Sequence, residues 1–237
     1  MTFVNRATDV TPTRWAQWGN AEIRPLRHDA NGAFAAQIEL PPHWSGVFPS
    51  IRDTSLEIFV LTGAIRANTR WIEQWGYLRL PAVVPGTLSA VDGATLLVFG
   101  DTPQAADNNE LQIVKTTPAD WHKGVVAARD TGRSLDLEVR DLYSVAETGR
   151  RTWLLRAGPG LALPYERHRT IEEGYIVSGK YRLIERLADG EIQFDHEPGG
   201  YFWRPPGIVH GGPKSGSDGE FVMLLRTPEA LTVEFVD

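Results

Sequence analysis

Apolar positions along this chain fall in short runs, each closed by Gly, Pro, Asn or Asp. Asp29-Ala-Asn31-Gly32 followed by Ala33 to Leu40 reads as a hairpin turn feeding a strand, because Asn-Gly tolerates the positive φ of a tight turn. Ser55 to Gly63, Trp71 to Leu80 and Ala94 to Phe99 read as further strands in the first half. In the second half the same texture predicts strands over Ser134 to Leu142, Thr152 to Arg156, Gly174 to Val177, Tyr181 to Arg186 and Phe221 to Leu225, with turns at Glu147-Thr-Gly149 and Asp189-Gly190. No stretch carries apolar residues at the spacing of a long amphipathic helix, so an all-β fold is expected. Trp15 and Trp18 lie in a lead-in of mixed polarity over residues 1 to 20, read as an arm packing on the first lobe.

The pattern also repeats. Glu57-Ile-Phe-Val-Leu-Thr-Gly63 matches Glu173-Gly-Tyr-Ile-Val-Ser-Gly179, and Gly76-Tyr77 before Pro81 matches Gly200-Tyr201 before Pro205. Asp92-Gly93 with Thr102-Pro103 matches Asp218-Gly219 with Thr227-Pro228, and Asn31-Gly32 matches Thr148-Gly149, all in the same order. Colinear matches with small gaps indicate a duplicated β unit. Between Asp101 and Lys123 the periodicity lapses into Pro, Asp, Asn and Thr, which sets the expected lobes at 1–110 and 111–237.

Composition narrows the chemistry. The 237 residues, 42% hydrophobic, suffice for one large domain or two small ones. A net charge of −6 with scattered basic residues disfavours nucleic acid as a partner. No apolar run reaches the roughly 18 residues of a membrane span, and Met-Thr-Phe-Val-Asn-Arg lacks the pattern of a signal peptide, so a cytoplasmic location without membrane association is expected. With no Cys, disulfides and thiolate sites are excluded, and any metal must be held by His, Asp and Glu. Ser-His-Asp order, a Gly-x-Ser-x-Gly elbow and a phosphate-cradling glycine loop are all missing.

The stretch from Gly160 to His210 concentrates the candidates. Glu166 and His168 stand two apart, so on an extended segment they face one side. Pro205, Pro206 and Gly207 build a tight turn before His210 that can bring its imidazole to the same cavity. These spacings resemble the two motifs of the cupin superfamily: Gly160, five residues, Glu166-Arg-His168, three residues, Glu172, six residues, Gly179; then Gly199, five residues, Pro205-x-Gly207, two residues, His210. The first His of the family's pair is Glu166 here, and the terminal Asn of the second motif is Lys214. The layout is also similar to bicupins related to the cupin domain of ChrR-type anti-sigma factors.

The resemblance implies two tandem antiparallel β-barrels of jelly-roll type and a divalent metal, Fe, Mn, Zn or Ni with Fe or Mn favoured, held by Glu166, His168, Glu172 and His210. As a fourth ligand Glu166 would neutralise the site; as a non-ligand it would be a general base; in a decayed site it would pair with Arg167 or Arg169. Tyr201 is a second catalytic candidate, and Tyr165, Arg167, Tyr175 and Trp203 could line a pocket where they share a face with the ligands. His28, His122 and His196 read as solvated. In the first lobe Ser50, Arg52, Leu56 and Gly86 replace the ligands and His43 reads as a turn residue, so that lobe is expected to be structural or to serve a homodimer. A metal-dependent enzyme acting on a small organic molecule is expected, most directly a dioxygenase cleaving a carbonyl or enol compound. The alternatives are a non-catalytic binding or sensor module and a metal-assisted isomerase or lyase.

Overall fold

The computed structural model describes residues 1–47, 54–82, 84–104, 107, 110–116, 120–124, 137–161 and 163–236. Ser50, Arg52 and the Ser134 end of one expected strand lie outside them. The described residues form antiparallel strands and two single-turn 3-10 segments, and no helix is long and apolar enough to cross a membrane. The all-β, two-barrel architecture expected from the sequence is present.

One unit spans Val10–Pro118 and the other combines Met1–Asp9 with Ala119–Asp237. This division differs from the expected lobes at both ends. Thr2–Val4 pairs with Tyr201–Arg204, so the start of the chain completes a sheet of the second unit, not the first. Gln112–Val114 pairs with Tyr77–Leu80 and belongs to the first. Edge pairing overrides sequence proximity because a short strand is ordered by the ladder it joins.

In the first unit the main path of the sheet runs, by strand, Gln112–Val114, Tyr77–Leu80, Ser55–Ala67, Ala94–Asp101, Phe34–Leu40 and Glu22–His28. The run expected as a single strand from Trp71 to Leu80 is two, Arg70–Glu73 and Tyr77–Leu80, because Trp75 adopts φ 66 and turns the chain. The second unit has a seven-stranded sheet and a five-stranded sheet. In the larger, Tyr201–Arg204, Glu172–Ser178, Phe221–Thr227, Arg151–Ala157 and Leu137–Ser144 lie side by side. In the smaller, Val209–Gly211 runs between Tyr181–Leu187 and Tyr165–His168.

The duplication is visible in geometry. The ladder shifts register between Val60 and Thr62 in one unit and between Ile176 and Ser178 in the other, the same place in the repeat. Three residues later Gly63 and Gly179 take φ of 76 and 75, and a Cβ there would lie 2.5 Å from the Gly93 carbonyl oxygen and 2.2 Å from that of Glu220. Only glycine fits both the conformation and the approach.

The first unit is built on a continuous apolar core. Trp18 and Trp44 stack 5.9 Å apart, the Trp44 indole N–H donates to the Trp18 carbonyl at 3.0 Å, and Ile23, Ile38, Leu56, Leu80 and Val98 close around them. His43 is exposed at a turn with φ 60.

Candidate metal centre

The site lies in the second unit, where Tyr165–His168 runs antiparallel to Val209–Gly211 with Glu166 directly across from His210. Strand alternation turns Glu166 and His168 inward while Tyr165 and Arg167 face out. Gly207, at φ 85, donates its N–H to the His168 carbonyl at 2.8 Å and ties the second motif to the first.

The Glu166, His168 and His210 side chains each offer a ligand atom within 4.8 Å of the others. Glu166 Oε1 lies 4.0 Å from His168 Nε2 and 3.6 Å from His210 Nε2. His168 Nδ1 is 3.1 Å from the Thr232 carbonyl and His210 Nδ1 is 3.1 Å from that of Ile208. A carbonyl oxygen only accepts, so each Nδ1 carries the proton and each Nε2 presents a lone pair to the centre. Burial, with Arg204 adding to it, pushes the His210 imidazole down to about 3, which keeps it neutral. His168 Nε2 and Glu166 Oε2 are buried without a hydrogen-bond partner. Buried polar atoms rarely remain unpaired, and two such atoms in a neutral-imidazole and carboxylate set fit a divalent cation. Burial, reinforced by Glu172, raises the Glu166 carboxyl to about 7; a bound cation would restore the ionised form.

Glu172 reaches the same point, its Oε2 3.7 Å from both His168 Nε2 and His210 Nε2. That oxygen is also gripped by Arg204 Nη1, and Arg204 binds Glu185 Oε1 through Nη2 at 2.7 Å and Nε at 2.9 Å. All three are buried. Burial works against ionising Glu172, yet Arg204 and the imidazoles hold it below the usual carboxylate range, whereas burial raises Glu185 despite the same guanidinium. The result is a buried Glu172–Arg204–Glu185 cluster behind the ligands.

A cavity of about 410 Å³ opens onto this centre. Its walls are mostly Leu, Val, Phe, Trp and Met, with Trp153, Phe202 and Met223 among them. The expected aromatic lining is absent from it. Tyr201 is fully buried on the opposite face of its strand and donates to Glu173 Oε1 at 2.5 Å, while its neighbours Phe202 and Arg204 face the cavity. Tyr165 bonds Glu191, Arg167 bonds Glu234 at 2.5 Å, and Tyr175 and Trp203 share the face of Tyr201. The period of two that selects the ligands excludes all five. Arg167 is committed to Glu234, which argues against its pairing with Glu166. His28 and His122 are exposed as expected, but His196 has no exposed surface and packs on Phe194 and Phe202. The sequence reading missed Arg204 and Glu185. Arg204 sits inside the second motif two residues after Phe202, so strand alternation alone points it inward; Glu185 lies outside both motifs, but the period of two that turns Tyr181 and Leu183 to the cavity turns it the same way.

No family model and no curated protein matches the sequence. Solved structures do match the fold. A Nostoc punctiforme protein assigned provisionally as a dioxygenase aligns over 99% of this chain and 86% of its own with TM-score 0.71 at 18% identity. A cupin 2 conserved barrel domain protein from Leptotrichia buccalis aligns over 95% of each chain with TM-score 0.60 at 13% identity. Lactobacillus farciminis oxalate decarboxylase, solved with formate, aligns over 100% of this chain and 88% of its own with TM-score 0.64 at 13% identity. The chain therefore has the double-barrel cupin fold, and its second barrel carries a Glu–His–His cluster suited to a metal ion.

Proposed function

We propose that this chain is a metal-dependent enzyme of the cupin superfamily acting on a small organic molecule, most directly as a dioxygenase cleaving a carbonyl or enol compound. The observation that carries this reading is the convergence of Glu166, His168 and His210 on one point, with unpaired buried ligand atoms, at the wall of an apolar cavity. Glu166, His168 and His210 would hold the ion, iron or manganese by preference, with Glu172 as a fourth ligand and second carboxylate, shared with Arg204. The ion would supply Lewis-acid polarisation of the substrate's oxygen atoms. The chain's own residues do the rest. The two backbone carbonyls hold both imidazoles in one tautomer and orientation, Glu166 balances the added charge, and the apolar walls exclude water. The facing of Glu166 toward both imidazoles supports a ligand role over that of a base.

The fold does not choose the reaction, since it is shared by proteins described as a dioxygenase and as oxalate decarboxylases. The apolar core of the first lobe and the two-lobe layout support kinship with the ChrR-like bicupins, and a cytoplasmic homodimer belongs to the same reading. Elemental analysis of the purified protein is expected to find a stoichiometric divalent transition metal, lost in Glu166→Ala, His168→Ala and His210→Ala with affinity falling at least about 100-fold. Full metal occupancy in both His variants would sink the site. Oxygen uptake against β-dicarbonyls and phenolic ketones then separates the dioxygenase from a lyase or isomerase, which would turn over a substrate without consuming oxygen.

A further inference from the structure

The cavity wall has a charge pattern of its own. Its acidic side chains, Glu166 and Glu172, both belong to the Glu–His centre. Away from that centre its ionisable side chains are Lys123, Arg151 and His122, set in an apolar surface that includes Trp153 and Leu155. Such a wall favours an apolar molecule with negative charge and disfavours a cationic one.

Arg151 is the best placed of the three. It stands one residue before Thr152, which is in register with Arg226, itself in register with Glu173, the residue after Glu172. Arg151 and Glu172 therefore occupy the same level of the sheet, two strands apart, with backbones roughly 10 Å from one another. Trp153 and Leu155 follow on the same face. The guanidinium carbon of Arg151 lies 4.8 Å from the Trp153 ring centre and Nε donates to Asp141. These two contacts fix the plane of the head group. Among the described residues no other partner takes its Nη atoms, the edge that binds a carboxylate through two parallel hydrogen bonds.

The first barrel serves as an internal control. Phe34 is in register with Gly100, and Gly100 with Leu56, the counterpart of Glu172, so Phe34 holds the place of Arg151. It is buried in the apolar core, with Trp15 edge-on at 5.0 Å. In the first barrel this position carries an apolar residue packed into the core; in the second, among the described residues, it carries a cation that lines the cavity.

We propose that the cavity binds an apolar aryl or alkyl molecule bearing one carboxylate or an equivalent monoanion, with Arg151 holding the anion and the other end of the molecule directed to the Glu166–His168–His210 cluster. This rests on the enzyme reading only for what happens at that second end. The anion also gives the substrate a fixed polarity, so that its apolar body lies along Trp153 with the reacting end at the centre.

The test uses the full chain after metal removal, which separates it from the question of metal binding. Isothermal titration compares 4-phenylbutyrate with its primary amide and with 4-phenylbutylamine. The carboxylate is expected to bind at least about 10-fold more tightly than the amide. Arg151→Gln should abolish that preference while leaving affinity for the amide unchanged, and Arg151→Lys, which keeps the charge without the fork, should retain part of it. Lys123→Gln should weaken only the carboxylate, and only at low salt. Equal or tighter binding of the amide or amine overturns the proposal. So does a preference that survives in Arg151→Gln, or failure of all three probes to bind.

Discussion

The two barrels share one backbone plan and answer the same packing problem in opposite ways. Leu56 lies across from Leu80 in the first, and Glu172 lies across from Arg204 at the same rung of the second. Ile72, paired with Ile65, corresponds to His196, paired with Tyr181. Trp18 and Trp44 pack into the core of the first barrel, whereas a cavity opens within the second. Burying an ion cluster in place of apolar residues of similar size is often neutral or unfavourable to stability. The first barrel closes with Leu56 and Leu80 at the positions of Glu172 and Arg204 and keeps its own buried ion pair, Arg79 with Asp107, at other positions. The Glu172–Arg204–Glu185 cluster is thus best understood through the centre it supports, where Arg204 orients Glu172 and its positive charge helps keep the His210 imidazole neutral.

The largest effect is expected from breaking that cluster. Arg204→Leu leaves Glu172 and Glu185 buried without their cation and should cost about 3–5 kcal/mol in urea unfolding. Replacing Arg204, Glu172 and Glu185 together by Leu carries the apolar solution of the first barrel into the second and should recover most of that loss. If the triple variant is no more stable than Arg204→Leu, the two interiors are not interchangeable and the comparison fails.

A smaller effect separates His196 from Ile72. Burial depresses the His196 imidazole to about 4, below its ordinary value near 6.5. Above pH 6.5 both folded and unfolded chains leave it neutral. As pH falls from 6.5 toward 4 the unfolded chain takes up the proton and the folded one does not, so stability drops by up to about 3 kcal/mol. His196→Ile should remove that part of the acid limb, seen as a shallower decline in unfolding free energy between pH 6.5 and 4. An unchanged slope would place the acid sensitivity elsewhere.

The smallest effect concerns what the barrels have in common. Tyr77 donates to Glu57 at 2.8 Å, and Tyr201 donates to Glu173 at 2.5 Å from the equivalent position. A pair present in both barrels belongs to the scaffold. Tyr201→Phe should cost about 1–2 kcal/mol and leave metal content unchanged. Loss of metal in this variant would restore Tyr201 as part of the site.

Much of this was legible in the amino-acid order because the signals are local. Strand period and turn glycines gave the β texture, the repeated Glu-to-Gly run announced the duplication, and motif spacing brought out Glu166, His168 and His210. Spacing works there because two residues apart on a strand means one face, and a Gly207 turn delivers His210 to its neighbour. Tyr201 failed for the same local reason, since it lies an odd number of residues from the inward-facing Phe202 and Arg204.

What only the tertiary structure decided depends on contacts between distant segments. That Thr2–Val4 joins Tyr201–Arg204 is a matter of which edge was open. That Glu172 is shared between the centre and a buried arginine required Glu172–Ser178, Tyr201–Arg204 and Tyr181–Leu187 to converge. Trp18 reaches Trp44 across 26 residues to pack the first barrel's core, and no local period encodes that meeting.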